Sequence, residues 1–326
     1  VIPEHTGLID FLSAVIRQRG QLPGGEGPDM IRQALVAAEQ SMIDNGIVAV
    51  GDICNTADTL EQKQKGRLQY YNFIEAVGFV EQGARLRFNG SKTIFDLFET
   101  AFPGMNSMVP HAPYSVSPAL FRLIAGHGAG QLLTMHNQET AEENIFFLTG
   151  KGDFLRLYEL LGVDASFFKG TGKRSLESVM SYFHPDQTMI LVHDVATNAE
   201  DLQAVTDAGG PGIYFCLCPN ANRYIGGRLP DVGLLMRSGH RLVVGTDSLA
   251  SNHTLSILDE LRTLQTAFPE LGTATLLQWA TGNGARALRL GEKLGSFVPG
   301  KKPGVVLLTG LAGDRLTPAT GVRRLL

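Results

Sequence analysis

The chain of 326 residues is long enough for one large α/β domain or two smaller ones, and 44% apolar with 18% charged residues is the make-up of an ordinary globular protein. The formal charge of −4 is spread along the sequence, with no basic block for nucleic acid and no acidic tail. No apolar run approaches the ~20 residues of a membrane-spanning helix, and three cysteines without a CxxC pair suit a reducing, cytoplasmic setting better than a disulfide framework.

One pattern recurs along the chain: an apolar run ends in a polar or ionisable residue, and a helix-start signal follows. "GIVAVGDI" (46–53) precedes Asp58-Thr-Leu-Glu61, a capping-box spacing. "LQYYNFIEAVG" (68–78) has a weaker stop. "NSMVPHAPYS" (106–115) leads to Ser117-Pro118, an N-cap with proline at the first helical position. "QLLTMH" (131–136) leads to Thr140…Glu143, and "TMILVHDVA" (188–196) to Thr197…Glu200, both with capping-box spacing. "GIYFCLCPN" (212–220) passes through a glycine-rich turn to Pro230 and a short helix that Gly239 can end. "RLVVGTDS" (241–248) leads to a helix around 254–267. Cys216 and Cys218 share a strand face and read as packed thiols.

Alternating buried strands and helices predict a parallel sheet covered on both faces. Seven strand–helix units are one short of a closed barrel. An open doubly wound sheet would also accept seven, but no GxGxxG follows the first strand. Residues 141–187 form a long, mostly helical insert able to lie over the strand ends. After residue 290 the texture changes to short β-segments with turns, too few for a stable sheet alone.

In a parallel barrel the C-terminal strand ends share one mouth. His111, His136 with Glu139, His193 and Asp247 all fall at such ends. Imidazoles and a carboxylate from different strands have the composition of a metal site, and a glutamate just beyond one of them suits a general acid or base. Each also has a plainer reading: hydrogen-bonded structural histidines, Glu139 favouring a helix N-terminus, Asp247 as a turn residue. Their common register favours the shared site. His253 reads as a helix cap or a pocket residue.

The segments "PHAPYSVS", "MHNQETAEE", "LVHDVAT", "CLCPNANRYIGGRLPDV" and "VVGTDSLASNHTLSILDEL", in this order, resemble the amidohydrolase superfamily, in its metal-dependent deaminase and chlorohydrolase branch; "TGNGARALRLGEKLGSFVPGKKPGVVLL" extends the match. The resemblance implies a (β/α)8 barrel over residues 1–290, with 141–187 as an insert, and a small β-sandwich of which 291–326 is the C-terminal half. It implies one Zn²⁺, or Fe²⁺, held by an HxH pair on the first strand, by His136 and by Asp247. Glu139 is then the proton shuttle, and His193 orients the water or the substrate. His111 would sit against the substrate; apart from the resemblance, a purine-like substrate needs donors and acceptors at its edge, for which His111, Asn220 and Asn222 are the nearest candidates. No HxH occurs in this sequence, which begins at Val1, so a first strand and a leading sandwich segment are expected to lie outside it.

The function expected is therefore hydrolytic deamination of a flat amino-substituted N-heterocycle (purine-, pterin- or pyrimidine-like) by a metal-activated water. A cyclic amide hydrolase or a triazine-type chlorohydrolase would use the same groups. A non-catalytic ligand-binding barrel would fit the missing HxH but not the retained Glu139, His193 and Asp247. The partner expected is a small heterocycle, with neither nucleic acid nor membrane; a homodimer is compatible with the sequence.

Overall fold

The computed structural model describes residues 2–19, 27–128, 130–207 and 209–326. Two helices, α1 (Leu8–Arg19) and α2 (Gly27–Asp44), precede the first strand. Seven strands then follow: β1 (Ala49–Cys54), β2 (Gln69–Ala76), β3 (Asn106–Pro110), β4 (Leu132–Asn137), β5 (Thr188–His193), β6 (Gly212–Leu217) and β7 (Arg241–Val244). They are the seven runs legible in the sequence. All neighbours are parallel, in the orders β1-β2-β3 and β4-β5-β6-β7. The order never reverses, so the sheet is singly wound and has no switch point of the doubly wound kind. The fold is α/β, with parallel sheets.

The helices between strands are α3 (Leu60–Lys63), α4 (Ala84–Ala101), α5 (Pro118–Ala125), α6 (Ala141–Thr149), α7 (Phe154–Leu160), α8 (Ser175–Met180), α9 (Ala199–Asp207), α10 (Pro219–Gly226) and α11 (Val232–Arg237). After β7 come α12 (Ile257–Ala267), α13 (Thr273–Gln278), a π-helical turn and α14 (Gly284–Ala287), then the antiparallel pair β8 (Val306–Thr309) and β9 (Gly321–Arg324). Among the described residues, no helix is long and apolar enough to cross a membrane.

Helix starts follow the sequence unevenly. Ser117 caps α5, accepting the Leu120 N–H, with Pro118 at the first helical position. The reciprocal pair expected at Thr197 and Glu200 forms one residue later: Asn198 N–H donates to Asp201, and Asp201 N–H to Asn198. At α3 the expected box is not made, because the Asp58 carboxylate accepts the Thr56 hydroxyl instead. The glycine-rich turn expected after β6 begins as α10, started by Pro219 and ended by Gly227 at φ 67°.

β1 and β2 are bolted to their helices by a buried cation. The Lys63 ammonium meets Asp52 at 2.5 Å, Asn72 at 2.8 Å and the Cys54 thiol at 3.2 Å, and lies 5.0 Å from the Tyr70 and Phe98 ring centres. Burial pushes the Cys54 thiol up to about 12, which leaves it unreactive.

The insert between β4 and β5 packs through aromatic rings. Phe79, just past β2, stacks on Tyr158 with centroids 4.5 Å apart. Tyr114, just past β3, lies 4.4 Å from Phe154. Phe146, Phe154 and Tyr158 are buried, while Phe167 stays half exposed. The two ends of the segment 150–170 cross backbone to backbone at Gly150 and Gly170, both in the left-handed region. A Cβ on Gly170 would stand 2.6 Å from the Gly150 nitrogen. Gly170→Ala should therefore cost more than about 1 kcal/mol in urea unfolding, and should open the insert to limited proteolysis.

Candidate active site

The C-terminal ends of β2 to β7 supply the site. His136, near the end of β4, donates twice to the His111 carbonyl oxygen: from its main-chain N–H at 2.9 Å and from ring Nδ1 at 2.9 Å. A carbonyl only accepts, so the proton sits on Nδ1 and Nε2 is bare. His111 Nδ1 lies 2.6 Å from the Ser115 hydroxyl, which itself donates to the Ala112 carbonyl. His193 Nδ1 lies 2.7 Å from the Asn222 side-chain oxygen. The acceptors facing His136 and His193 place the proton of each ring on Nδ1 and leave Nε2 as a lone pair.

The rings stand in a row. Centroids of His111 and His136 are 4.9 Å apart, and those of His136 and His193 5.6 Å. Burial lowers His111 to about 4, against the opposing pull of Glu75. Burial also lowers His193, although Asp247 and Asn222 act in the opposite direction. Both imidazoles are neutral at physiological pH.

The Glu139 side chain is buried, and its carboxyl approaches His193 Nε2 to 3.7 Å. Desolvation pushes it from 4.5 up to about 8; His136 pulls it down and Asp247 adds to the rise. Asp247, at φ 55°, accepts the Ser251 hydroxyl at 2.6 Å. Its charge acts on His111, His193 and Glu139 alike.

Glu75 was not among the residues picked out from sequence. It is the last residue but one of β2, 3.8 Å from His136 Nδ1, and accepts the Asn55 amide at 2.5 Å. Donor atoms of Glu75, His111 and His136 all lie within 4.8 Å of one another. The signal was there: Tyr71, Phe73 and Glu75 alternate along β2, so Glu75 shares their face and comes last on it. The absence of a capping box after "NFIEAVG" hid it.

Asn222, expected as a substrate-edge contact, is 3% exposed and holds the His193 ring. Asn220 does not join it. Its side-chain oxygen accepts the Thr263 hydroxyl and its N–H donates to Glu260, both on α12. The expectation for His253 fails in both forms: it is exposed, pairs with Glu4 at 2.9 Å, and leaves Ser256 to cap α12.

Glu75, His111 and His136 make a mixed N/O donor set that suits a divalent transition metal; of the two ligands expected, His136 is in this cluster and Asp247 is not. The Nδ1 anchors are the supports that metal-binding histidines use. The residues present fit such an ion.

Residues 28–322 match the amidohydrolase family, and the chain belongs to it. An adenosine deaminase of Helicobacter pylori is 28% identical over 274 residues, covering 82% of this chain and 66% of its own length. An aminodeoxyfutalosine deaminase of Nitratiruptor sp. is 25% identical, over 94% of this chain and 73% of its own length. A 5-methylthioadenosine/S-adenosylhomocysteine deaminase of Teredinibacter turnerae is 30% identical, over 61% of this chain and 42% of its own. The chain thus spans from about two fifths to three quarters of the length of these relatives. Two solved structures share the fold. Helicobacter pylori aminofutalosine deaminase with methylthio-coformycin has a TM-score of 0.77 at 21% identity, over 92% of this chain and 72% of that one. A mutant of atrazine chlorohydrolase from Arthrobacter aurescens with zinc and atraton has a TM-score of 0.66 at 20% identity, over 91% and 68%.

Three carboxyls at or behind the mouth, Glu139, Glu143 and Glu260, are raised by burial from 4.5 to about 8. In the unfolded chain they ionise near 4.5, while the folded protein holds their protons to about 8. Stability from them is full below the lower value and is lost as pH rises through the higher one. Thermal melts in a chelator should fall from about pH 5 to 8 and then level. Glu260→Gln should reduce that fall, and a slope unchanged by it would show that Glu260 does not titrate there.

Proposed function

We propose that this chain carries the catalytic mouth of a metal-dependent hydrolase that deaminates an amino-substituted N-heterocycle. The observation that carries the reading is the row of three imidazoles, His111, His136 and His193, beside Glu139, whose buried carboxyl is raised to about 8. The deaminase relatives, and the fold likeness to an aminofutalosine deaminase, support the same class.

In this reading His136 and Asp247 hold the metal, with Glu75 and His111 as additional donors in reach. When bound, the ion supplies Lewis acidity that brings a water's pKa toward neutrality. The chain's own residues do the rest. Asp247 accepts the first proton that the attacking water gives up as its oxygen bonds to the amino-bearing ring carbon, while Glu139, protonated at rest, gives its proton to the adjacent ring nitrogen. Glu139, now a carboxylate, takes the remaining hydroxyl proton and passes it to the departing amine, and the proton held by Asp247 then restores it. The sum is ring C–NH2 plus water giving the ring carbonyl, with N–H beside it, plus ammonia. His193 stays neutral and turns its Nε2 toward the reacting groups, its ring fixed by Asn222. His111 lies against the substrate.

The same reading takes the seven strands as part of an eight-stranded barrel, with the eighth strand between β7 and β1, each of which pairs on one side. The hairpin of residues 291–326 then belongs to a small β-sandwich, and residues 141–187 are the insert beside the mouth. Phe79 and Phe167, 5.4 Å apart at its border, offer a face on which a flat ring can stack.

The test is ammonia release by the full-length protein with Zn²⁺ over purines, pterins, pyrimidines and aminotriazines. Release from at least one is expected; chloride release from a chlorotriazine with no deamination would replace the reading. Glu139→Gln should lower turnover by about 10²–10⁴-fold with metal content unchanged by elemental analysis. Loss of metal in that variant would make Glu139 a ligand instead.

A further inference from the structure

Between His136 and Glu139 lies Gln138, fully buried and held at φ 44°, a left-handed value that a residue with a side chain seldom adopts. Every polar group it has is engaged. Its N–H donates to Glu143 at 3.2 Å, and its carbonyl accepts the Ala196 N–H at 2.8 Å. Its side-chain amide donates to the Asn144 oxygen at 2.9 Å, while its side-chain oxygen accepts the Thr197 hydroxyl at 2.6 Å.

These partners fall into two sets. Glu143 and Asn144 belong to α6, immediately beyond Glu139. Ala196 and Thr197 belong to the turn immediately beyond His193, where His193 and Asp194 also have positive φ, 82° and 56°. Further bonds brace the far side of each set. Ser175 donates to the Asn144 oxygen, Arg174 donates to the Ala196 carbonyl at 2.7 Å, and Arg174 grips Asp201 through Nε at 2.8 Å. Two strained turns, one bearing Glu139 and the other His193, are joined by main-chain bonds and by the Asn137–Asp194 pair, and the Gln138 side chain adds the tie that reaches from α6 to the Thr197 hydroxyl.

We infer that Gln138 is a positioning residue: by tying the Glu139 turn to the Thr197 turn, its side chain fixes the 3.7 Å approach of the Glu139 carboxyl to His193 Nε2. The inference rests on the roles given to Glu139 and His193 under the proposed function. The chemistry explains the residue type. One end of the span offers an acceptor, Asn144 Oδ1, and the other a donor, the Thr197 hydroxyl. Only a primary amide answers both at once from one side chain, and an ionised glutamate would face the Asn144 oxygen with another acceptor.

Thr197 touches neither Glu139 nor the imidazoles in any hydrogen bond described, so it is the place to cut the tie. Thr197→Val keeps the shape and removes the hydroxyl; Thr197→Ser keeps the hydroxyl. With the best heterocycle from the panel, T197V should lose about 10–100-fold in kcat, as a misplacement of about 1 Å would cause. Its KM should stay within about twofold, and T197S should return kcat to within about threefold of wild type. Crystal structures of the three proteins should show the Glu139–His193 separation changed in T197V alone. Should T197V not fold, Thr197→Ala makes the same comparison. Unchanged kcat and separation in the variant lacking the hydroxyl overturn the inference. So do parallel losses in kcat and KM that serine does not rescue, since general loosening would produce those. If the wild type deaminates nothing, the proposed reaction has failed, and the separations in the crystals decide the positioning claim by themselves.

Discussion

One carbonyl oxygen does more than any other atom to make this mouth. The His111 oxygen accepts both the main-chain N–H and the ring Nδ1–H of His136. The first bond carries the parallel hydrogen bonding across from the three-stranded sheet to the four-stranded one. The second decides which imidazole nitrogen is left bare. The junction of the two sheets and the tautomer of the central histidine are thus one constraint. Because β5 pairs directly with β4, with Asn137 opposite His193, the next histidine inherits its place from the same join.

Burial then sets the charge states. His111 and His193 are kept neutral by desolvation, while Glu139 keeps a proton that an exposed glutamate would lose. Neutral imidazoles beside an acid that holds its proton are groups ready to exchange protons rather than to form ion pairs. The pairing of Lys63 with Asp52 in the outer layer shows the contrast: there two opposite charges meet at 2.5 Å inside an aromatic wall, and the result is a brace, with no free lone pair to offer.

The sequence was most readable where one local signal decides the structure. Seven apolar runs became seven strands, and Ser117-Pro118 started its helix as expected. His111, His136, Glu139 and His193 lie together, as their position at strand ends led one to expect, since a parallel, singly wound sheet carries all such ends to one side. Where the outcome depended on a partner far along the chain, the sequence was silent. Asn220 and Asn222 are two residues apart in one motif, yet α12 takes the first and His193 the second. Thr197 and Asn198 compete to start α9, and Asn198 takes the cap because the Thr197 hydroxyl is already given to Gln138, 59 positions away. Glu143 has the spacing to cap its own helix but turns back to Gln138 instead. Glu75 needed only strand alternation to be found, but it lies on the run with the weakest stop.

The crossing of Gly150 and Gly170 works like a drawstring on the insert. Exposed chain between the two glycines, such as that around Phe167, can change while Phe154 and Tyr158 stay packed and the neck stays closed, and the strand tips on either side keep their spacing. A lineage can therefore alter what borders the entrance without disturbing the chemistry behind it. In a family whose relatives take substrates as unlike as nucleosides and triazines, such a neck separates the part of the gene free to drift from the part that is not.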